Sequence, residues 1–171
     1  MTATALFKIY TGTDAGTMSP ETTGDGTNWN LMSTDAYDST GTDYQDNPIT
    51  VLESGTAYSY ERWMKVRFDG TFNAIENVIA WKSAGTYSDA GISINAGETD
   101  TGATPVDTSS SIATAAIPTT EETAIDITPS GGIEDDGDFT DFLVAQLVVA
   151  DTTTTPGDIG EQTLTVQYDE S

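Results

Sequence analysis

The feature that most constrains this chain is an alternation. Across residues 58–69, Tyr60, Met64, Val66 and Phe68 fall on one parity, and Glu61, Lys65, Arg67 and Asp69 on the other. Successive side chains of a strand point to opposite faces, so the run describes a strand with one buried and one polar side. Two residues break the pattern: Arg62 stands on the apolar parity and Trp63 on the polar one. Asp69-Gly70 is a turn signal, after which Ile75, Ile79 and Trp81 alternate against Glu76 and Lys82. This predicts a second strand returning near the first, with Trp81 on the core side.

Residues 139–150 narrow the architecture further. Leu143, Leu147 and Val149 share one face, and Phe142, Val144 and Val148 share the other. A strand apolar on both faces is central and is covered on each side, by a second layer or by another subunit. Shorter strand candidates lie at 5–10, 48–52, 91–96, 111–117, 123–128 and 162–168, with a further one around 29–32. Gly-, Thr-, Asp- and Pro-rich connections separate them, and no window carries a helical stripe with caps. The expected fold is all-β: a two-sheet antiparallel β-sandwich, with a jelly-roll-like topology as one option. One domain is expected over residues 1–171. Residues 11–47 read as a long loop or arm, and 97–122 as a loop-rich insertion.

Composition excludes several functions. The chain holds 28 acids against 5 bases, with no His and no Cys, for a formal net charge of −23. A nucleic acid or an anionic membrane would meet a repulsive field, so neither is expected as a partner. Without His or Cys there is no Ser-His-Asp triad, Cys nucleophile, disulfide or usual zinc site. A chain so acidic repels itself at low ionic strength and is relieved by salt, which fits a halophilic source. Residues 1–10 lack the apolar run of a signal peptide. Nothing approaches the roughly 20 apolar residues of a membrane span.

Charge is also unevenly placed. Residues 14–46 and 83–171 carry acids only, whereas 47–82 balance Glu53, Glu61, Asp69 and Glu76 against Arg62, Lys65, Arg67 and Lys82. Lys8 is the one base outside that block.

Three segments near the C-terminus carry a resemblance: Asp141-Phe-Leu-Val-Ala-Gln-Leu-Val-Val149, Thr155-Pro-Gly157 and Glu161-Gln-Thr-Leu-Thr-Val-Gln-Tyr-Asp-Glu170. An apolar strand, a Pro-Gly turn and a last strand with an acidic tip resemble the closing strands of small β-sandwich structural proteins of tailed viruses. The block from Arg62 to Trp81 is similar in style to their central strands. The resemblance implies a non-enzymatic virion component, a capsid decoration (cement) protein or a head or tail accessory protein, assembled in the host cytoplasm. It implies a homo-oligomer whose partner is the major capsid protein or another virion protein.

Candidate sites follow from residue chemistry. Arg62, Lys65, Arg67 and Lys82, with Trp63 on the same face as Lys65 and Arg67, form a candidate docking surface for an acidic partner. The bland reading of these bases is pairing within the acidic shell. Phe142, Val144 and Val148 form a second candidate interface, to be covered by the other sheet or by a sibling subunit. Asp135, Asp136, Asp138 and Asp141, with Glu134 around Gly137, offer oxygens to a Ca²⁺ or Mg²⁺ ion, although their spacing fails the EF-hand pattern. No other cofactor is expected. Asp25, Asn28 and Asn30 are a weaker version of such a loop. Trp29, Trp63 and Trp81 with Tyr58, Tyr60 and Tyr87 would suit sugar stacking, which makes a carbohydrate-binding or adhesion module the alternative function. A glycosidase pair among so many carboxylates is the least favoured reading.

Overall fold

The computed structural model describes residues 2–10, 30–35, 45–152 and 159–171. These form nine strands: β1 (Thr2–Tyr10), β2 (Thr56–Tyr58), β3 (Arg62–Thr71), β4 (Ile75–Ala84), β5 (Ile92–Thr99), β6 (Ala115–Ala116), β7 (Ile125–Asp126), β8 (Phe142–Ala150) and β9 (Thr163–Glu170). A 3₁₀ turn, Glu121–Thr123, precedes β7. The larger sheet runs β1-β3-β8-β5-β6, with β2 pairing β8 beyond the end of β3, and the smaller runs β7-β4-β9. All the pairings are antiparallel. The chain is an all-β, two-sheet sandwich.

β8 is central, as its doubly apolar sequence requires. It is flanked by β5 on one edge and by β3 and β2 on the other. Leu143, Ala145, Leu147 and Val149 face the second sheet, in one core with Met64, Val66, Phe68, Ile92 and Ile94. The smaller sheet contributes Ile75, Val78 and Ala80, with Val166 and Tyr168 packed alongside. The Tyr168 ring meets Phe68 edge-on at 4.9 Å between centroids.

Several expectations are corrected. The Asp69-Gly70 pair does not turn the chain, because β3 runs through it to Thr71. At Gly70, φ is +124°, and a Cβ would lie 2.5 Å from the Thr2 carbonyl oxygen of β1. Glycine there serves a close backbone approach rather than a hairpin. The chain bends at residues 72–74 and crosses to the other sheet, so β4 does not return beside β3. Within β4 the parity changes. Asn77 adopts a left-handed φ of 52°, and the register to β9 shifts between Glu76 and Ile79. Such a bulge moves every later side chain to the opposite face. Val78, Ala80 and Lys82 therefore turn inward, and Trp81 turns outward.

Residues 48–52 form no strand; β2 begins at Thr56 instead. The candidates at 111–117 and 123–128 shorten to β6 and β7. Residues 30–32 are not strand, while Trp29, Asp25, Asn28, most of 11–47 and the turn at 153–157 lie outside the described residues.

Candidate functional site

The face of the larger sheet that points away from the second sheet holds a patch of bases and a buried aromatic cluster. Antiparallel register places Lys8 of β1 directly opposite Lys65 of β3, and Leu6 opposite Arg67. Directly opposed residues share a face, with Cβ atoms about 5 Å apart. Three of the chain's five bases thus stand together. Like charges directly opposite each other destabilise a sheet, so this grouping is not one that folding favours. The Lys65 ammonium lies 4.1 Å from the centroid of the Phe142 ring. Burial lowers its pKa from the ordinary lysine value, while Asp141 and Asp100 act in the opposite direction. Arg67 Nε sits 2.8 Å from Asp69 Oδ1, and the guanidinium lies 6.0 Å from the Phe139 ring.

Beside the bases, the same face is apolar and covered. Trp63, Tyr10, Val144, Phe142 and Ala113 form a second core, with Ala103 and Ile112 packed against it. Phe142 meets both Tyr10 and Trp63 edge-on at 5.2 Å. The cover is a strap, residues 100–114, laid across the sheet. It crosses so near Gly97 that a Cβ there would collide with the Ile112 carbonyl oxygen. Polar groups on the sheet hold it. Gln146, fully buried in the middle of β8, accepts a hydrogen bond from the Ser110 amide. Its own amide nitrogen lies 2.8 Å from the Thr108 carbonyl, 2.9 Å from that of Ser59 and 3.2 Å from that of Val106. Glu61 Oε2 accepts from Trp63 Nε1 at 3.0 Å and from the Val106 amide at 3.3 Å. The Glu61 amide donates to the Val106 carbonyl.

This arrangement revises the expected docking surface. Trp63 is 0 % exposed and cannot serve as a surface anchor, because the strap that its strand alternation could not reveal lies over it. Arg62 is 2 % exposed; its guanidinium donates to the Asn30 and Asp35 carbonyls, so it fastens the 30–35 segment. Lys82 is also buried, donating to the Gly85 carbonyl and lying over the Tyr87 ring. Phe142 and Val144 are covered by the chain itself, and Val148 is half-buried. Of the expected cations, only Lys65 and Arg67 remain on the face, joined by Lys8.

The acidic loop is corrected as well. Asp135, Asp136, Asp138 and Asp141 do not converge: no group of three or more potential ligands gathers among the described residues. Their segment runs beside the upper half of β3 and supplies the pairing that β8 does not reach. The Phe68 amide donates to Asp138 O, Gly137 N to Phe68 O, and Thr140 N to Val66 O. Asp138 Oδ2 accepts from the Glu134 and Asp135 amides, and Asp136 Oδ1 from Gly70 N. The Asp138 carboxylate closes its own turn, a role that local Asp side chains commonly take, and the Asp136 carboxylate ties the loop to β3.

Among the aromatics proposed for sugar stacking, Trp63 is internal and the Tyr87 hydroxyl accepts from the Ile94 amide. Lys8, Leu6 and Gln146 were not singled out from sequence. Gln146 had a signal, as the lone polar residue within an apolar run, whereas Lys8 had none before the β1–β3 register was known.

A pH response follows from two neighbouring carboxyls. Burial raises the pKa of Glu98 and of Asp141 above the ordinary values of 4.5 and 3.8. Repulsion from Asp100 and Asp126 adds to both, and Lys65 opposes the rise at Asp141. Each group therefore holds its proton more tightly folded than unfolded, so stability increases as pH falls from neutral towards their range. The expected result is a higher melting temperature at pH 5 than at pH 7, with a smaller difference in the Glu98→Gln, Asp141→Asn double variant. An identical difference in the variant would show that other groups govern the response.

Comparison with protein-family models, with curated proteins and with solved structures finds no match to this chain.

Proposed function

We propose that this protein is a non-enzymatic structural component of a virus particle, a capsid decoration protein that docks on an acidic shell in concentrated salt. The observation that carries the reading is the gathering of Lys8, Lys65 and Arg67 on one sheet face in a chain of net charge −23. Two acidic proteins dock where like charges are not brought together at contact, and it is at contact, where desolvated pairs are screened least, that opposite charges set the choice of partner. A rigid antiparallel sheet is a suitable base for such a face, since its geometry does not depend on loops.

The test is particle occupancy. The Lys8→Glu, Arg67→Glu double variant is expected to keep the far-ultraviolet circular dichroism of the native sandwich. Its copy number on purified particles, counted by mass spectrometry against the major shell protein, is expected to fall about tenfold or more, because like charges are then brought together across the interface. Native occupancy of the folded variant would overturn the docking role of this face.

A second reading, a carbohydrate-binding or adhesion module, draws on Trp81, which the bulge at Asn77 turns onto the outer face of the smaller sheet. Quenching of tryptophan emission by sugars, lost in Trp81→Phe, would favour it.

A further inference from the structure

The smaller sheet reverses a placement that folding favours. Alternation from Ile75 would carry Trp81 into the core and leave Lys82 in solvent. Instead Lys82 is buried, and Trp81 is half-buried on the outer face, in neither of the two apolar clusters. A Trp inside and a Lys outside is the more stable arrangement, since apolar area gains from burial and lysine is among the residues least often buried.

The reversal is held in place. It follows from the bulge at Asn77, a non-glycine residue in the left-handed region. The Asn77 carboxamide donates to Asp169 Oδ2 of β9 at 2.7 Å, and the Val78 amide donates to Thr128 Oγ1, just past β7, at 2.9 Å. The bulge is thus tied to segments on both sides of β4. Bulges recur beside functional sites, where they re-aim a side chain.

Trp81 emerges among hydrogen-bonding groups. Thr165 of β9 stands directly opposite it, and Gln167 stands opposite Ile79. The Thr165 hydroxyl donates to Ser83 Oγ at 2.6 Å. Gln167 Nε2 reaches across β4 to donate to Glu121 Oε1 at 2.9 Å. Along the strand, Trp81 therefore lies between a hydroxyl pair and a carboxamide–carboxylate pair. Ser83, Gln167 and Glu121 are exposed, as is Asp126, which opposes Ile79 from β7. No base joins them: four of the chain's five lie on β1 and β3, and Lys82 points inward.

This chemistry specifies the ligand. An anion would be repelled, and a purely apolar surface would leave the polar groups without partners. The indole offers its electron-rich face to the C–H groups of a ring, and the pairs at either end offer donors and acceptors to hydroxyls around the ring's edge. We infer that the outer face of the smaller sheet binds a neutral saccharide, with Trp81 stacked on a sugar ring and Ser83, Thr165, Gln167 and Glu121 meeting its hydroxyls. The inference rests on the carbohydrate reading above and gives it a site. It is compatible with docking, because this face lies on the side of the sandwich opposite Lys65 and Arg67 and is turned away from any shell they meet.

The test uses the full chain in salt that preserves the circular dichroism of the native sandwich. The probes are neutral hexasaccharides of glucose, mannose and N-acetylglucosamine, with hexagalacturonate as the anionic control. Calorimetry reads binding without relying on the tryptophan that is replaced. At least one neutral hexasaccharide is expected to bind, and hexagalacturonate is not. Trp81→Ala is expected to weaken binding about tenfold, the value of an aromatic stack. Gln167→Ala, at an exposed position outside the core, is expected to weaken it about fivefold, as loss of a hydrogen bond would. This second variant carries the test alone if Trp81→Ala disturbs the fold.

If a neutral hexasaccharide binds and the folded variants bind it as the native chain does, this face is overturned as the site while the carbohydrate reading stands. If no neutral hexasaccharide binds the native chain, both are overturned. Equal binding of hexagalacturonate would overturn the selection of a neutral ligand. A dimer in solution that Trp81→Ala dissociates would make a second copy the occupant, and would overturn the saccharide.

Discussion

Replacing Gln146 with Ala is expected to release the strap over residues 100–114 while leaving the two sheets paired. Gln146 stands at the middle of the central strand, 0 % exposed, and one side chain joins the strap at Ser110, Thr108 and Val106 and the sheet at Ser59. Truncation to Ala removes the partners of a buried amide and of buried carbonyls, each of which costs about 1–3 kcal/mol when left unpaired. The strap can recover some of those bonds from water by lifting, so the net loss is expected at about 3 kcal/mol. Lifting has an optical signature. It brings water to Trp63, whose Nε1 is held by the same Glu61 carboxylate that takes the Val106 amide. Tryptophan emission should shift to the red, and protease cleavage should appear within the strap before the sheets unfold. The far-ultraviolet spectrum should change little. Unaltered emission and melting temperature would mean that Ala103, Ile112 and Ala113 hold the strap by apolar contact, with Gln146 a passenger.

The melting temperature is expected to rise by about 10 °C or more between 0.1 M and 2 M KCl, given that about 1 kcal/mol moves the midpoint of a chain this size by roughly 2–4 °C. Five bases can neutralise at most five of 28 acids. Folding concentrates the remainder, and Asp100 and Asp126 already raise the pKa of both Glu98 and Asp141. At 2 M salt the screening length is below about 3 Å, so most of that repulsion disappears. The effect should depend on ionic strength more than on the identity of the cation. A midpoint unchanged across this range would show that the acids are spaced widely enough to be harmless, and would remove the basis for a high-salt setting.

These two results separate what different levels of structure contribute. Alternation from Tyr60 to Phe68 and the doubly apolar run from Phe142 to Val149 were enough to expect strands, a sandwich and the central place of β8. Both are local properties, because side-chain direction in a strand follows from the pleat and a strand apolar on both faces must be covered twice. What covers β8 on its second face was not legible. The strap lies far from β8 along the chain and is fastened by Gln146, Glu61 and Ser110 through backbone groups that any sequence possesses. The left-handed residue Asn77 turned Trp81 outward and Lys82 inward, reversing a face that alternation alone had assigned. The acidic cluster around Gly137 looked like a cation loop, but the Asp138 carboxylate closes a turn and the Asp136 carboxylate takes the Gly70 amide of β3, roles that spacing does not distinguish from ligation. Lys8 and Lys65 meet only through the register of β1 on β3, across more than fifty residues of chain. Sequence by itself determined the pleated elements and the charge that surrounds them. Tertiary structure decided which faces remain open, because cover, register and bulge depend on contacts between segments that no local pattern records.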